Sequence, residues 1–136
     1  MRLAAALAAL LILGACSPAA TPTGDPSQAK FAGLDAAELQ WRKDILANDQ
    51  LCKSTVDDQK CAKFEVACKS EREVTPAEQG KGVTAHVVAM ITFDGFDLNF
   101  KHGQSGTRAA EFTKTAKGWT RAEHGPVYMQ TCGDMK

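Results

Sequence analysis

Four cysteines, Cys52, Cys61, Cys68 and Cys132, are the residues in the body of this 136-residue chain best suited to covalent chemistry. A fifth, Cys16, stands apart near the N-terminus. Thiols can ligate metal, attack a substrate or pair with one another. Metal ligation needs short, regular spacings. No C-x₂-C pair occurs, and His86, His102 and His124 are scattered, so no metal is expected. An even set of four in an exported domain of about 100 residues reads as two disulfides. Three connectivities are open, and the favoured one is Cys52–Cys61 with Cys68–Cys132. The first bridge would staple the loop after a helix. The second would tie the first strand to the last across a long loop.

Other catalytic arrangements are missing from the sequence. No nucleophile elbow appears, and no glycine-rich phosphate loop follows a strand. No carboxylate pair stands out as an acid–base couple, because Asp57-Asp58 and Glu71-Arg72-Glu73 read as solvated turns. His86 lies inside an apolar strand and reads as a satisfied core histidine. The expectation is a protein that is not an enzyme and carries no cofactor.

Export is inferred from the first sixteen residues. Leu3 to Leu13 contains only Ala, Leu and Ile, with Arg2 before it. Such a run is too short to cross a hydrocarbon layer about 30 Å thick, but it suits the apolar region of a signal peptide. Leu13-Gly14-Ala15-Cys16 then resembles the lipobox of bacterial lipoproteins. That resemblance implies cleavage before Cys16, a diacylglycerol on its sulfur and an acyl group on its new amine. Cleavage removes 15 of the 136 residues and leaves 121. Several acyl chains make stable anchoring, at about 0.8 kcal/mol for each buried CH₂. Ser17 after the lipid cysteine implies the outer membrane of a Gram-negative cell, with the domain in the periplasm or at the surface. Losing Arg2 leaves fifteen basic residues against sixteen acidic ones, so no basic excess points to nucleic acid.

Three regions follow: a signal peptide over 1–15, a lipidated cysteine and tether over 16–33, and one globular domain over 34–136. The tether is rich in Pro, Ala, Ser and Thr, too polar to offset its ordering entropy. It would reach about 20–25 Å when flexible and about 55 Å when stretched.

The domain is expected to be α+β, a helix packed on an antiparallel meander of about five or six strands. Asp35 and Glu38 suggest a capping box, with Leu34 as its staple and an end near Asn48. Leu39, Arg42 and Leu46 share one helix face, with Trp41 and Ile45 on the adjoining one. Ser54 to Cys68 is readable as helix or, from Phe64, as strand. Thr75 to Gly82 is a polar loop with a proline. Val83 to Phe93 is apolar on nearly both faces and reads as a central strand. Asp94-Gly95 predicts a hairpin turn, with Phe96, Leu98 and Phe100 on the returning strand. His102 to Gly106 reads as a turn, Thr107 to Thr115 as a strand, Lys117-Gly118 as a turn, and Trp119 to Ala122 as a strand. A last strand is expected over Val127 to Cys132.

One constellation resembles the membrane-bound C-type lysozyme inhibitors. In that family a cysteine-bearing strand precedes Ser-Gly-x-Arg-Tyr, then Trp-x-Lys-Gly-Asp-Glu, then an apolar strand ending in the partner cysteine. Cys68, Ser105-Gly106-Thr107-Arg108, Trp119 and Cys132 match in that order. Ala109 replaces the tyrosine, and Arg121-Ala122 replaces Lys-Gly. Cys52, Cys61 and the Trp41 helix have no counterpart. The likeness spans Cys68 to Cys132, about half the chain. It implies that Ser105 on a turn, with Arg108, Trp119 and Arg121, engages the two carboxylates of a muramidase cleft. The expected function is inhibition of, or immunity to, a cell-wall-degrading enzyme or secreted toxin. An accessory subunit of an envelope machine is the second reading. The third is a small-ligand-binding domain, since the architecture also resembles cystatin-like and NTF2-like domains.

Overall fold

The computed structural model describes residues 26–136. The signal peptide, the lipobox with Cys16 and the first part of the tether lie outside the described residues. The elements in chain order are α1 (Pro26–Phe31), α2 (Leu34–Asn48), β1 (Ala62–Arg72), α3 (Pro76–Gln79), β2 (Ala85–Asp97), β3 (His102–Thr115) and β4 (Gly118–His124). The four strands form one antiparallel sheet in the order β1-β2-β3-β4. The class is therefore α+β. No helix among the described residues is long and apolar enough to cross a membrane.

The sheet has four strands where the sequence suggests five or six, and the two glycine dipeptides explain most of the difference. β2 runs straight through Asp94-Gly95, and β3 runs straight through Ser105-Gly106. Asp94 pairs with Ser105, Gly95 with Gln104 and Phe93 with Gly106. Neither glycine has a positive φ. Both are small because something presses on them. A Cβ on Gly106 would stand 2.3 Å from the Phe93 ring, and one on Gly95 would stand 2.7 Å from the Leu51 Cβ. The actual β2–β3 turn is Leu98 to Lys101, closed by Lys101 at φ 57°. The expected last strand is also absent. Val127 to Cys132 is an irregular tail joined by a single bridge, Val127 to Asp134.

The N-terminal half shows further differences. Residues Pro26 to Phe31 of the expected tether are helical. α2 starts at Leu34, capped by Gly33 at φ 85°, with no side-chain cap. Glu38 is unavailable for a capping box because it turns inward to Lys69. The box forms instead at α3, where the Thr75 hydroxyl accepts from the Glu78 N–H and the Glu78 carboxylate accepts from the Thr75 N–H. The segment before β1 holds a 3₁₀ turn at Asp57–Gln59, and β1 is strand.

Each face of β2 is covered. Val87, Ala89, Ile91 and Phe93 cluster with Leu34, Trp41 and Ile45 of α2 and with Ala110 and Phe112 of β3. The α2 residues fall at i, i+7 and i+11, one helical stripe. Trp41 meets Phe112 edge to face at 5.6 Å. Leu39 and Leu46, on the other helix face, remain exposed. The second face of β2 presents Val88 and Met90 to Ala109, Val127 and Cys132. Burial on both sides is why this strand reads as an unbroken apolar run. Cys68–Cys132 and Cys52–Cys61 are both disulfide-bonded. The first bolts the C-terminal tail over the second face, where Arg72 also donates to the Cys132 carbonyl at 2.7 Å.

Candidate functional site

The four residues proposed as inhibitory contacts are placed on strands, not on a protruding turn. Ser105 lies inside β3, and its hydroxyl donates to Asp94 at 3.4 Å. Asp94 also pairs with Lys63 at 2.9 Å. The Lys63 ammonium holds the Asp94 carboxyl below its usual range, and Asp94 in turn raises Lys63. Arg108 lies on the helix-facing side of β3. It pairs with Asp49 just beyond α2 at 2.6 Å and sits over the Phe93 ring. The Asp49 side chain is only 6% exposed, so this carboxylate depends on the arginine for its charge partner. Arg121 makes the parallel connection from β4 to Asp44 of α2 at 3.1 Å. Trp119 packs against Gly33 and donates its indole N–H to the Ala32 carbonyl at 2.9 Å. Arg108, Trp119 and Arg121 therefore tie helix to sheet.

Arg108 and Arg121 share a shallow cleft with Trp41, Asp44 and Asp49. Both arginines are already paired there, so an anionic ligand would have to displace a carboxylate. A larger open cleft of about 660 Å³ lies at the α1–α2 junction, with Phe31, Leu34, Asp35, Lys69 and Val87 on its walls. Nearby, burial pushes the Glu38 carboxyl above its usual range, and Lys69 at 3.2 Å partly offsets this. One Glu38 oxygen is closed off from solvent with no hydrogen-bond partner. The cleft is not a closed apolar pocket of the kind a small-ligand domain would need.

The most distinctive free surface is one the sequence reading missed. Leu98 and Phe100 occupy the β2–β3 turn, and Phe100 is 75% exposed. The turn is ordered by hydrogen bonds to Asp97. The Asp97 carboxylate accepts from the N–H groups of Asn99 and Phe100 at 2.8 and 3.0 Å. The Lys101 N–H donates to the Asp97 carbonyl at 2.7 Å. The Phe100 ring stacks on His102 at 6.3 Å. Two large apolar side chains are thus presented on a pre-formed tip. The signal was available: Asp97-Leu-Asn-Phe is an Asx turn with alternating apolar residues. The stronger local claim of Asp94-Gly95 masked it.

The tip and the chain entry lie at opposite ends of the sheet. Trp119, which holds the α1–α2 junction, pairs with Lys114, and Lys114 pairs with Ala85 at the start of β2. The 13 residues of β2 separate that end from the tip. At about 3.3 Å per residue this is roughly 40 Å along the strand. No family model, no curated protein and no solved structure matches the chain.

Proposed function

We propose that this chain is an outer-membrane-anchored lipoprotein that binds and inhibits a protein partner, a cell-wall-degrading enzyme or toxin. Cys16 carries the lipid, the following residues tether the domain, and the domain meets its partner in the periplasm or at the surface. The observation that carries the reading is the Leu98–Phe100 tip. An ordered apolar tip loses little entropy on docking and can bury aromatic area in a concave partner. Its position opposite the chain entry suits an anchored protein, because the tip then points away from the bilayer. Muramidase clefts are concave and lie at the substrate-binding face, so a filled cleft is a blocked enzyme. Ser105, Arg108, Trp119 and Arg121 brace the sheet and its helix in this reading, and none of them enters the partner's cleft.

The test is residual muramidase activity against added full-length chain in detergent, with C-type lysozyme and lysozyme-like toxins as targets. Inhibition at micromolar concentration or below is expected. Full activity of every wall hydrolase tested, with no binding at those concentrations, would reject the inhibitor class.

A further inference from the structure

His86, read from the sequence as a satisfied core histidine, has two ring nitrogens that are closed off from solvent and make no hydrogen bond. It lies on the sheet face opposite α2. Glu78 of α3 approaches its Nδ1 at 3.2 Å, and Glu111 of β3 approaches its Nε2 at 2.6 Å. At such distances only an approach well off the ring N–H axis falls outside hydrogen-bond geometry. The carboxylates therefore do not bracket the ring as acceptors of two in-line bonds. Instead one donor atom from each of the three residues lies within 4.8 Å of the other two.

Beyond His86 itself, no cationic side chain among the described residues pairs with these carboxylates. Arg72 is the cross-strand neighbour of His86, yet its guanidinium is taken by the Cys132 carbonyl and Asp134. Lys81 acts on Glu78 only at a distance. The second Glu78 oxygen is occupied by the backbone and hydroxyl of Thr75, which fixes the carboxylate and leaves Oε1 facing the ring. Two carboxylates held around one imidazole favour a positive charge between them, and a bound cation can supply it.

We propose that Glu78, His86 and Glu111 form a binding site for a first-row divalent transition metal such as Zn²⁺. Donors around a tetrahedral zinc at about 2.0–2.1 Å stand about 3.3 Å apart. The three donor atoms already lie within 4.8 Å of one another, so side-chain shifts bring them to that spacing around one ring nitrogen. One imidazole with two carboxylates suits zinc and its neighbours better than calcium or magnesium, which take all-oxygen sites. Three protein ligands leave a coordination position for water. The side chains of Glu78 and Glu111 are 24% and 33% exposed, which gives the ion a way in. The site is independent of the Leu98–Phe100 tip.

The experiment is titration of the full-length, tag-free chain with Zn²⁺ by calorimetry, with metal content checked by mass spectrometry. One ion per chain at micromolar affinity or tighter is expected. His86→Gln and Glu111→Gln should each weaken it by at least about tenfold, while His124→Gln should not. A readout that needs no variant is Co²⁺ titration followed by NMR, where the His86 ring signals should shift before those of His102 and His124. Absence of stoichiometric binding would overturn the proposal. So would binding that both His86→Gln and Glu111→Gln leave unchanged, or a His86 ring that titrates as a free imidazole in excess Zn²⁺.

Discussion

Arg108 is joined to Asp49, a carboxylate almost shut away from water, and it covers the Phe93 ring. Removing the arginine leaves that carboxylate without its partner, and the penalty of an uncompensated, poorly solvated charge exceeds the loss of one contact. Arg108→Ala is expected to lower stability by about 1.5–3 kcal/mol in urea unfolding. Ser105→Ala removes one long bond at the exposed strand surface and is expected to stay within about 0.5 kcal/mol of wild type. An Arg108→Ala protein as stable as the parent would show that the pair contributes nothing. Spacing alone could flag Ser105 and Arg108 as polar residues near a glycine. It could not show that the arginine points inward, because its partner Asp49 is 59 residues earlier in the chain.

The two disulfides close loops of different length, and this separates their effects. Cys68 and Cys132 are 64 residues apart, and Cys52 and Cys61 only 9. On the chain-entropy relation the long bridge contributes about 4 kcal/mol and the short one about 2.5 kcal/mol. Replacing Cys68 and Cys132 together by Ala should therefore cost more than replacing Cys52 and Cys61, as measured by chemical unfolding of each double variant. The reverse order would mean that the C-terminal tail holds its place without the bridge. These bridges, the central strand and the helix were legible because each has a local signature: cysteine parity, a two-sided apolar run and a 3.6-residue stripe. The strand count was not. Asp94-Gly95 and Ser105-Gly106 carry turn chemistry, yet Leu51 and the Phe93 ring require those glycines for close packing inside long strands. Local rules see the dipeptide and miss the neighbour that presses on it.

At the scale of the whole molecule, a four-stranded sheet separates two ends of different character. One end receives the chain through α1 and α2, pinned by Trp119. The other ends in Leu98 and Phe100, exposed and ordered by Asp97. The tip was not legible in the sequence, because its meaning depends on where β2 ends. Replacing both apolar tip residues by serine should leave the fold intact, since neither contributes to the buried clusters. In the proposed function this tip docks into the partner. The most direct measurement compares inhibition of a bound wall hydrolase by the wild-type chain and by the Leu98→Ser, Phe100→Ser variant. The predicted result is binding weakened by about 2–4 kcal/mol, chiefly through faster dissociation, with unchanged thermal stability. Equal inhibition by the two proteins would contradict the account.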